Sequence, residues 1–168
     1  MITGGARSGK SSHAIALASA HPGQRRFFVA TAEAGDDEMI ARIARHRAAR
    51  SPDFETVEEP VHLSVILQTL AGRADVVVLD CLTLWVANLM CRGLDDDAIG
   101  VEGEALAATL SQLPFDTITV TGEVGSGIVP ENPTARRFRD LLGWTNQRIA
   151  RVADSVLLMA AGYPMRVK

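Results

Sequence analysis

Eight residues near the start of the chain, Gly4-Gly5-Ala6-Arg7-Ser8-Gly9-Lys10-Ser11, constrain the fold more than any other stretch. They fit the pattern GxxxxGK(S/T). Glycines at these places let the backbone curl until several N–H groups point at one anion. A helix that starts directly behind the loop turns its positive end to the same anion. The motif therefore demands a strand before it and a helix after it. Lys10 is expected to reach the β and γ phosphates of a nucleotide, and Ser11 to ligate Mg²⁺. Met1-Ile2-Thr3 suits the strand but leaves it short.

Behind that loop, short apolar runs alternate with helical patterns. Strand candidates are 1–3, 26–30, 76–80, 117–121 and 155–159; helix candidates are 10–20, 37–50, 62–71, 82–90, 98–113 and 134–153. Val76-Val77-Val78-Leu79 is a continuous apolar run, the mark of a strand covered on both faces. Ala135, Phe138, Leu141, Leu142, Ile149 and Val152 recur near one face at the helical period, with Gly143 as a weak point. The alternation predicts an α/β fold, a mostly parallel sheet flanked by helices, in one domain spanning residues 1–168. Two stretches carry no regular pattern: 51–60, and 122–133 with its run of glycines and prolines. Irregular connections of about 12 residues tend to be functional or disordered. Asp80 closes the central run. An acid there, beside a phosphate loop, can hold Mg²⁺ directly or through water; as an ordinary strand end it would cap the next helix.

Composition narrows the class. The chain has 168 residues, 47% hydrophobic and 22% charged, which is ordinary for a globular protein and excludes extensive disorder. A net charge of -3 argues against general nucleic-acid binding. Cys81 and Cys91 form no CxxC pair and no metal-ligand spacing, so a reducing, cytoplasmic setting is expected, with both thiols buried. No apolar run reaches the ~18 residues of a membrane span, and the first residues do not read as a signal peptide. Phe27, Phe28, Trp85 and Trp144 read as core or interface. No NKxD is present, and Asp80 leads into Cys81-Leu82-Thr83 rather than a switch glycine, which disfavours a signalling GTPase.

The most unusual stretch is Arg42-Ile43-Ala44-Arg45-His46-Arg47-Ala48-Ala49-Arg50. On a helix, Arg42, His46 and Arg50 share a side. Charge pattern alone favours a solvated basic face balancing Asp36, Asp37 and Glu38. The functional reading is a histidine among phosphate-binding arginines, whose charge favours the neutral, nucleophilic ring. Such a ring needs its second nitrogen held by an acceptor, for which Glu55, Glu58 or a backbone carbonyl would serve. His13, His21 and His62 read as structural. Arg136, Arg137 and Arg139 read as a solvated first turn or as a closure over phosphates.

Together these pieces resemble the bifunctional adenosylcobinamide kinase / adenosylcobinamide-phosphate guanylyltransferase family of cobalamin biosynthesis. The resemblance runs through nearly the whole chain. It includes the phosphate loop, Ala30-Thr31-Ala32, Arg42-Ile43 with His46-Arg47, Thr56-Val57-Glu58 and Val78-Leu79-Asp80-Cys81-Leu82-Thr83. Glu123-Val124-Gly125-Ser126-Gly127-Ile128-Val129-Pro130-Glu131-Asn132 and Asn146-Gln147-Arg148 complete it. Asp80 stands where many relatives carry Glu, and Gly122 where Asn is frequent. The resemblance implies a RecA-like P-loop NTPase fold, usually a homotrimer. It implies phosphorylation of adenosylcobinamide from ATP or GTP, then GMP transfer from GTP through a guanylyl-histidine at His46. It places nucleotide contacts at Gly4, Gly5, Ala6, Arg7, Ser8, Gly9, Lys10 and Ser11, and at Ala30, Thr31 and Ala32. Further contacts fall at Arg47, Ala48, Ala49, Arg50, Glu58 and Asp80.

Overall fold

The apolar run 76–79 lies in the middle of a seven-stranded sheet, and its surroundings explain its composition. The computed structural model describes residues 1–35, 37, 40, 41, 44, 47 and 52–168. The strands are β1 (Ile2–Gly4), β2 (Arg26–Ala30), β3 (Phe54–Glu58), β4 (Val76–Asp80), β5 (Asp116–Val120), β6 (Leu157–Ala160) and β7 (Tyr163–Arg166). They stand in the order β3-β2-β4-β5-β1-β6-β7. Every pairing is parallel except the β6–β7 hairpin. The described helices are α1 (Lys10–Ser19), α2 (Leu63–Thr69), α3 (Leu82–Cys91), α4 (Asp96–Leu110) and α5 (Pro133–Val152).

Successive residues of a strand point to opposite faces. In β4, Val77 and Leu79 join Phe27 and Val29 under α2, α3, α4 and α5, where Trp85, Leu106, Leu142 and Ile149 are buried. Val76 and Val78 face the other way, with Phe28, Val120 and Met159, and meet α1 through Ala14 and Ala18. Those two alanines are fully buried, and their small size lets the helix lie close on the strands. Both faces of the central strands are covered, so neither can carry polar alternation.

Two strands escape the sequence pattern. β3 arises inside the stretch 51–60; it sits at the sheet edge, bonded only to β2, with Glu55, Thr56 and Glu58 exposed. β7 is the opposite edge, exposed at every residue, and it contains Pro164. Proline lacks the N–H a central strand must donate, and an edge tolerates that. Asp95 caps α4 through its side chain, so this helix begins earlier than the expected 98. Gly143 does not interrupt α5, which is helical from Pro133 to Val152. Trp85 is core, whereas Trp144 is half-exposed. The expectation of two buried cysteines fails at Cys91, which is exposed at the end of α3, and is met only in part at Cys81, which is half-buried. Among the described residues, no helix is long and apolar enough to cross a membrane.

Candidate active site

Several strand ends meet at the carboxyl edge of the sheet, and the register gives their heights. Ala30 stands opposite Asp80, Asp80 opposite Val120, and Val120 opposite Ile2. β1 runs two residues past that row to Gly4, so the loop that follows rises above the edge. Ligands of open α/β sheets bind at this edge.

The loop owes its shape to its glycines. Gly4 has φ +147°, and a Cβ there would lie 2.6 Å from the Met159 carbonyl. Only glycine lets β1 approach β6 so closely. Gly9 has φ +94° and caps α1 without a side chain. The first helical amides, which have no partner within a helix, are thus turned toward the loop. Arg7 is exposed at φ +55°. Ser8 is buried, and its carbonyl accepts from Gly162 N–H in the β6–β7 turn at 3.1 Å. The hairpin therefore buttresses the loop. Lys10 Nζ donates to the Gly5 carbonyl at 2.5 Å and stands 3.4 Å from Ser8 Oγ, folded back across the loop. An ammonium so held is placed where it can neutralise an anion at the loop amides.

Asp80 follows Val76 and Val78 at strand spacing, so it faces the side covered by α1. Ser11 lies in the first turn of α1, and both residues are half-buried. A hydroxyl and a carboxylate on one face suit a hard divalent cation. Among the described residues no group of three or more His, Cys, Asp or Glu could hold a metal by itself. Magnesium bound with a nucleotide needs none, because it keeps water and takes its other ligands from phosphates. The residues present fit Mg²⁺.

The peptide from Asp80 to Cys81 is cis. Thr31, fully buried, holds it: Thr31 Oγ1 donates to the Cys81 carbonyl and accepts from the Cys81 N–H, both at 2.8 Å. Thr31 N–H donates to the Asp80 carbonyl at 3.1 Å. The Thr31 hydroxyl is thus committed to the protein rather than turned to a nucleotide. Burial, then the charge of Asp80, pushes the Cys81 thiol up to about 11. It stays protonated and is not a nucleophile.

Ala30 ends β2 beside Glu58, and Ala32 is half-buried one residue past Thr31. Glu58 forms an ion pair with Arg47, which is helical and exposed. Glu55 pairs with Arg73 at 3.2 Å. His46, Ala48, Ala49 and Arg50 lie outside the described residues. Of the second arginine cluster, Arg136 bonds the Pro130 and Glu131 carbonyls, and Arg137 bonds Asp96 and the Leu94 carbonyl. Those two tie the chain together rather than closing over phosphates.

Two positioning residues were given no role by the sequence: Asn88, and Thr83 at the end of the Val78–Thr83 stretch. Asn88 Nδ2 donates to the Thr31 carbonyl at 2.8 Å and the Pro60 carbonyl at 3.0 Å, joining the ends of β2 and β3. Thr83 Oγ1 accepts from Gly122 N–H at 2.6 Å. Asn88 stands out only as a polar break in the apolar helix 82–90.

A glycine-rich phosphate loop between β1 and α1, with an acid ending β4 on the same face, defines a P-loop nucleotide-binding protein. A solved ATPase of a type III secretion system shares this fold, with a TM-score of 0.58 at 10% identity over 95% of this chain and 50% of that one. The sequence model described as cobinamide kinase / cobinamide phosphate guanyltransferase matches residues 1–167. The bifunctional adenosylcobalamin biosynthesis protein CobP of Pseudomonas aeruginosa is 44% identical, covering 100% of this chain and 96% of that protein. The bifunctional adenosylcobalamin biosynthesis protein CobU of Escherichia coli is 39% identical, covering 100% and 98%. The chain belongs to the cobinamide kinase / cobinamide phosphate guanyltransferase family.

Proposed function

We propose that this protein phosphorylates adenosylcobinamide with ATP or GTP, and then transfers GMP from GTP to adenosylcobinamide phosphate. The observation that carries this reading is the meeting of the phosphate loop with Asp80 on one face of the sheet, in a chain that matches the family over residues 1–167. In the first step the aminopropanol hydroxyl oxygen attacks the γ-phosphorus, its proton is lost, and the nucleoside diphosphate leaves. The loop amides and Lys10 hold and neutralise the phosphates, which is most of what phosphoryl transfer asks of a protein. In the second step a neutral ring nitrogen of His46 attacks the α-phosphorus of GTP, and pyrophosphate leaves. The resulting phosphoramidate is attacked by the corrinoid phosphate oxygen, which restores the imidazole and yields adenosyl-GDP-cobinamide. Two displacements replace one difficult step. Ser11 and Asp80 would hold Mg²⁺, which supplies charge neutralisation at the phosphates.

Arg47, Ala48, Ala49, Arg50 and Glu58 are assigned with His46 to the GTP site, and Ala30, Thr31 and Ala32 to its edge. For Thr31 the backbone is the contact, since its hydroxyl is engaged. Residues 1–168 are read as one domain, assembled as a homotrimer in the cytoplasm, with the corrinoid as partner substrate and no nucleic acid.

The test incubates the protein with Mg²⁺ and GTP labelled at the α or the γ phosphate, then denatures it. Label retained from α-GTP alone, labile to acid, stable to base and absent in His46→Ala, is the expected result. No retained α label despite GTP binding would leave a single-activity P-loop kinase.

A further inference from the structure

Residues 122–132 connect β5 to α5 and are tied down at both ends. At the foot, Glu123 N–H donates to the carbonyl of Gly4, the first residue of the phosphate loop, at 3.0 Å. Thr121 Oγ1 donates to Asn146 Oδ1 at 2.6 Å, and Asn146 Nδ2 donates to the Gly122 carbonyl at 3.0 Å. The Glu123 carboxylate turns inward to accept from Gly125 N–H at 2.6 Å. At the far end, Asn132 Oδ1 accepts from Thr134 N–H at 2.8 Å and Ala135 N–H at 3.2 Å. Arg136 closes the same end on two loop carbonyls.

Between these anchors the loop presents apolar side chains to solvent: Ile128 is 97% exposed, Val129 60% and Val124 39%. Apolar groups grouped on a well-anchored loop mark a contact surface. We infer that this loop is the acceptor subsite, and that its valines and isoleucine receive an apolar face of the corrin macrocycle. This deepens the corrinoid reading above and rests on it. Contiguity selects the occupant: the loop starts from a hydrogen bond to the phosphate loop, and the acceptor must reach a phosphorus held there. Area selects it as well. Three side chains on one loop fall far short of the ~800 Å² per partner of a stable protein interface. A single ligand surface, such as one face of the ring that the proposed acceptor carries, asks for far less.

The experiment compares wild type with an Ile128→Ser, Val129→Ser double variant. Equilibrium dialysis against adenosylcobinamide, followed by corrin absorbance, reads the affinity. Thermal midpoint and sedimentation mass are measured alongside. The expected result is affinity weakened by about tenfold or more, at unchanged midpoint and mass. Unchanged affinity would overturn the assignment. So would a lower sedimentation mass with affinity intact, which would make the loop an interface between copies. Wild-type protein that binds no adenosylcobinamide would overturn the substrate reading itself, and is seen before any variant is compared. Single Ile128→Asn, a milder change, repeats the test should the double variant not fold.

Discussion

The Thr31 hydroxyl and the Cys81 backbone hold each other twice, one hydrogen bond in each direction at 2.8 Å. One hydroxyl thereby bonds both backbone polar groups of the residue that follows Asp80. Thr31→Val keeps the shape and leaves the Cys81 N–H without its partner, while the Cys81 carbonyl keeps only the Trp85 N–H at 3.2 Å. The expected loss is about 1–3 kcal/mol of stability. Thr31→Ser restores the hydroxyl and should recover most of it. Urea denaturation of the three proteins measures this; equal midpoints would show that the pair carries no energy.

Gly4 and Gly5 are adjacent but make opposite demands. A methyl at Gly4 meets the Met159 carbonyl at 2.6 Å on a backbone with φ +147°, whereas nothing lies within 4 Å of one at Gly5. Gly4→Ala should cost about 1–3 kcal/mol from backbone conformation alone, with the overlap added to it. Gly5→Ala should fall within about 0.5 kcal/mol of wild type. Thermal unfolding of both variants decides between this and a loop that yields easily.

Asp75 ends the turn before β4 and accepts from the Gln24 and Arg25 backbone N–H groups, each at 3.0 Å, and from the Arg25 guanidinium. The guanidinium is the main cause that holds its carboxyl well below the usual carboxylate range. A carboxyl lowered on folding adds stability above its unfolded value of about 4. That stability fades as pH falls through the folded value. The urea midpoint of wild type should therefore exceed that of Asp75→Asn by a constant margin from pH 5 to 8, and the margin should shrink below pH 4. A margin that grows in acid would contradict the assignment.

Cys81 and Cys91 should separate cleanly by chemistry. Burial holds the Cys81 thiol protonated, its value pushed up to about 11, while Cys91 is exposed. Iodoacetamide at pH 8 should alkylate Cys91 in the native protein and leave Cys81 intact, with both modified after denaturation. Peptide mapping by mass spectrometry reads the sites. Equal native labelling would show that the cis segment opens readily.

Much of this architecture was legible beforehand. The phosphate loop, the central strand and five described helices stand close to their expected places, because each rests on a motif or period within a few consecutive residues. The edges were not legible. Phe54–Glu58 and Tyr163–Arg166 lack the apolar run of a buried strand. β3 takes its pairing from β2, which no local window contains, and β7 takes its from β6 across a tight hairpin whose exposed, proline-bearing second strand shows no alternation. At the site, Asp80 was expected from its place at the end of β4. The duty of Thr31 was not, since its neighbour Cys81 lies 50 residues away.

The sequence by itself determined a glycine-rich loop of the phosphate-binding pattern, an acid ending the central strand, an α/β sheet and the family. These are properties of residue types at short spacing, where backbone freedom and side-chain chemistry act directly. Tertiary structure alone decided that Thr31 serves the Asp80–Cys81 peptide. It also set the glycine-rich connection against Gly4. Those outcomes depend on strand order and register. Sheet pairing joins residues far apart in the chain, and their energies have no local signature.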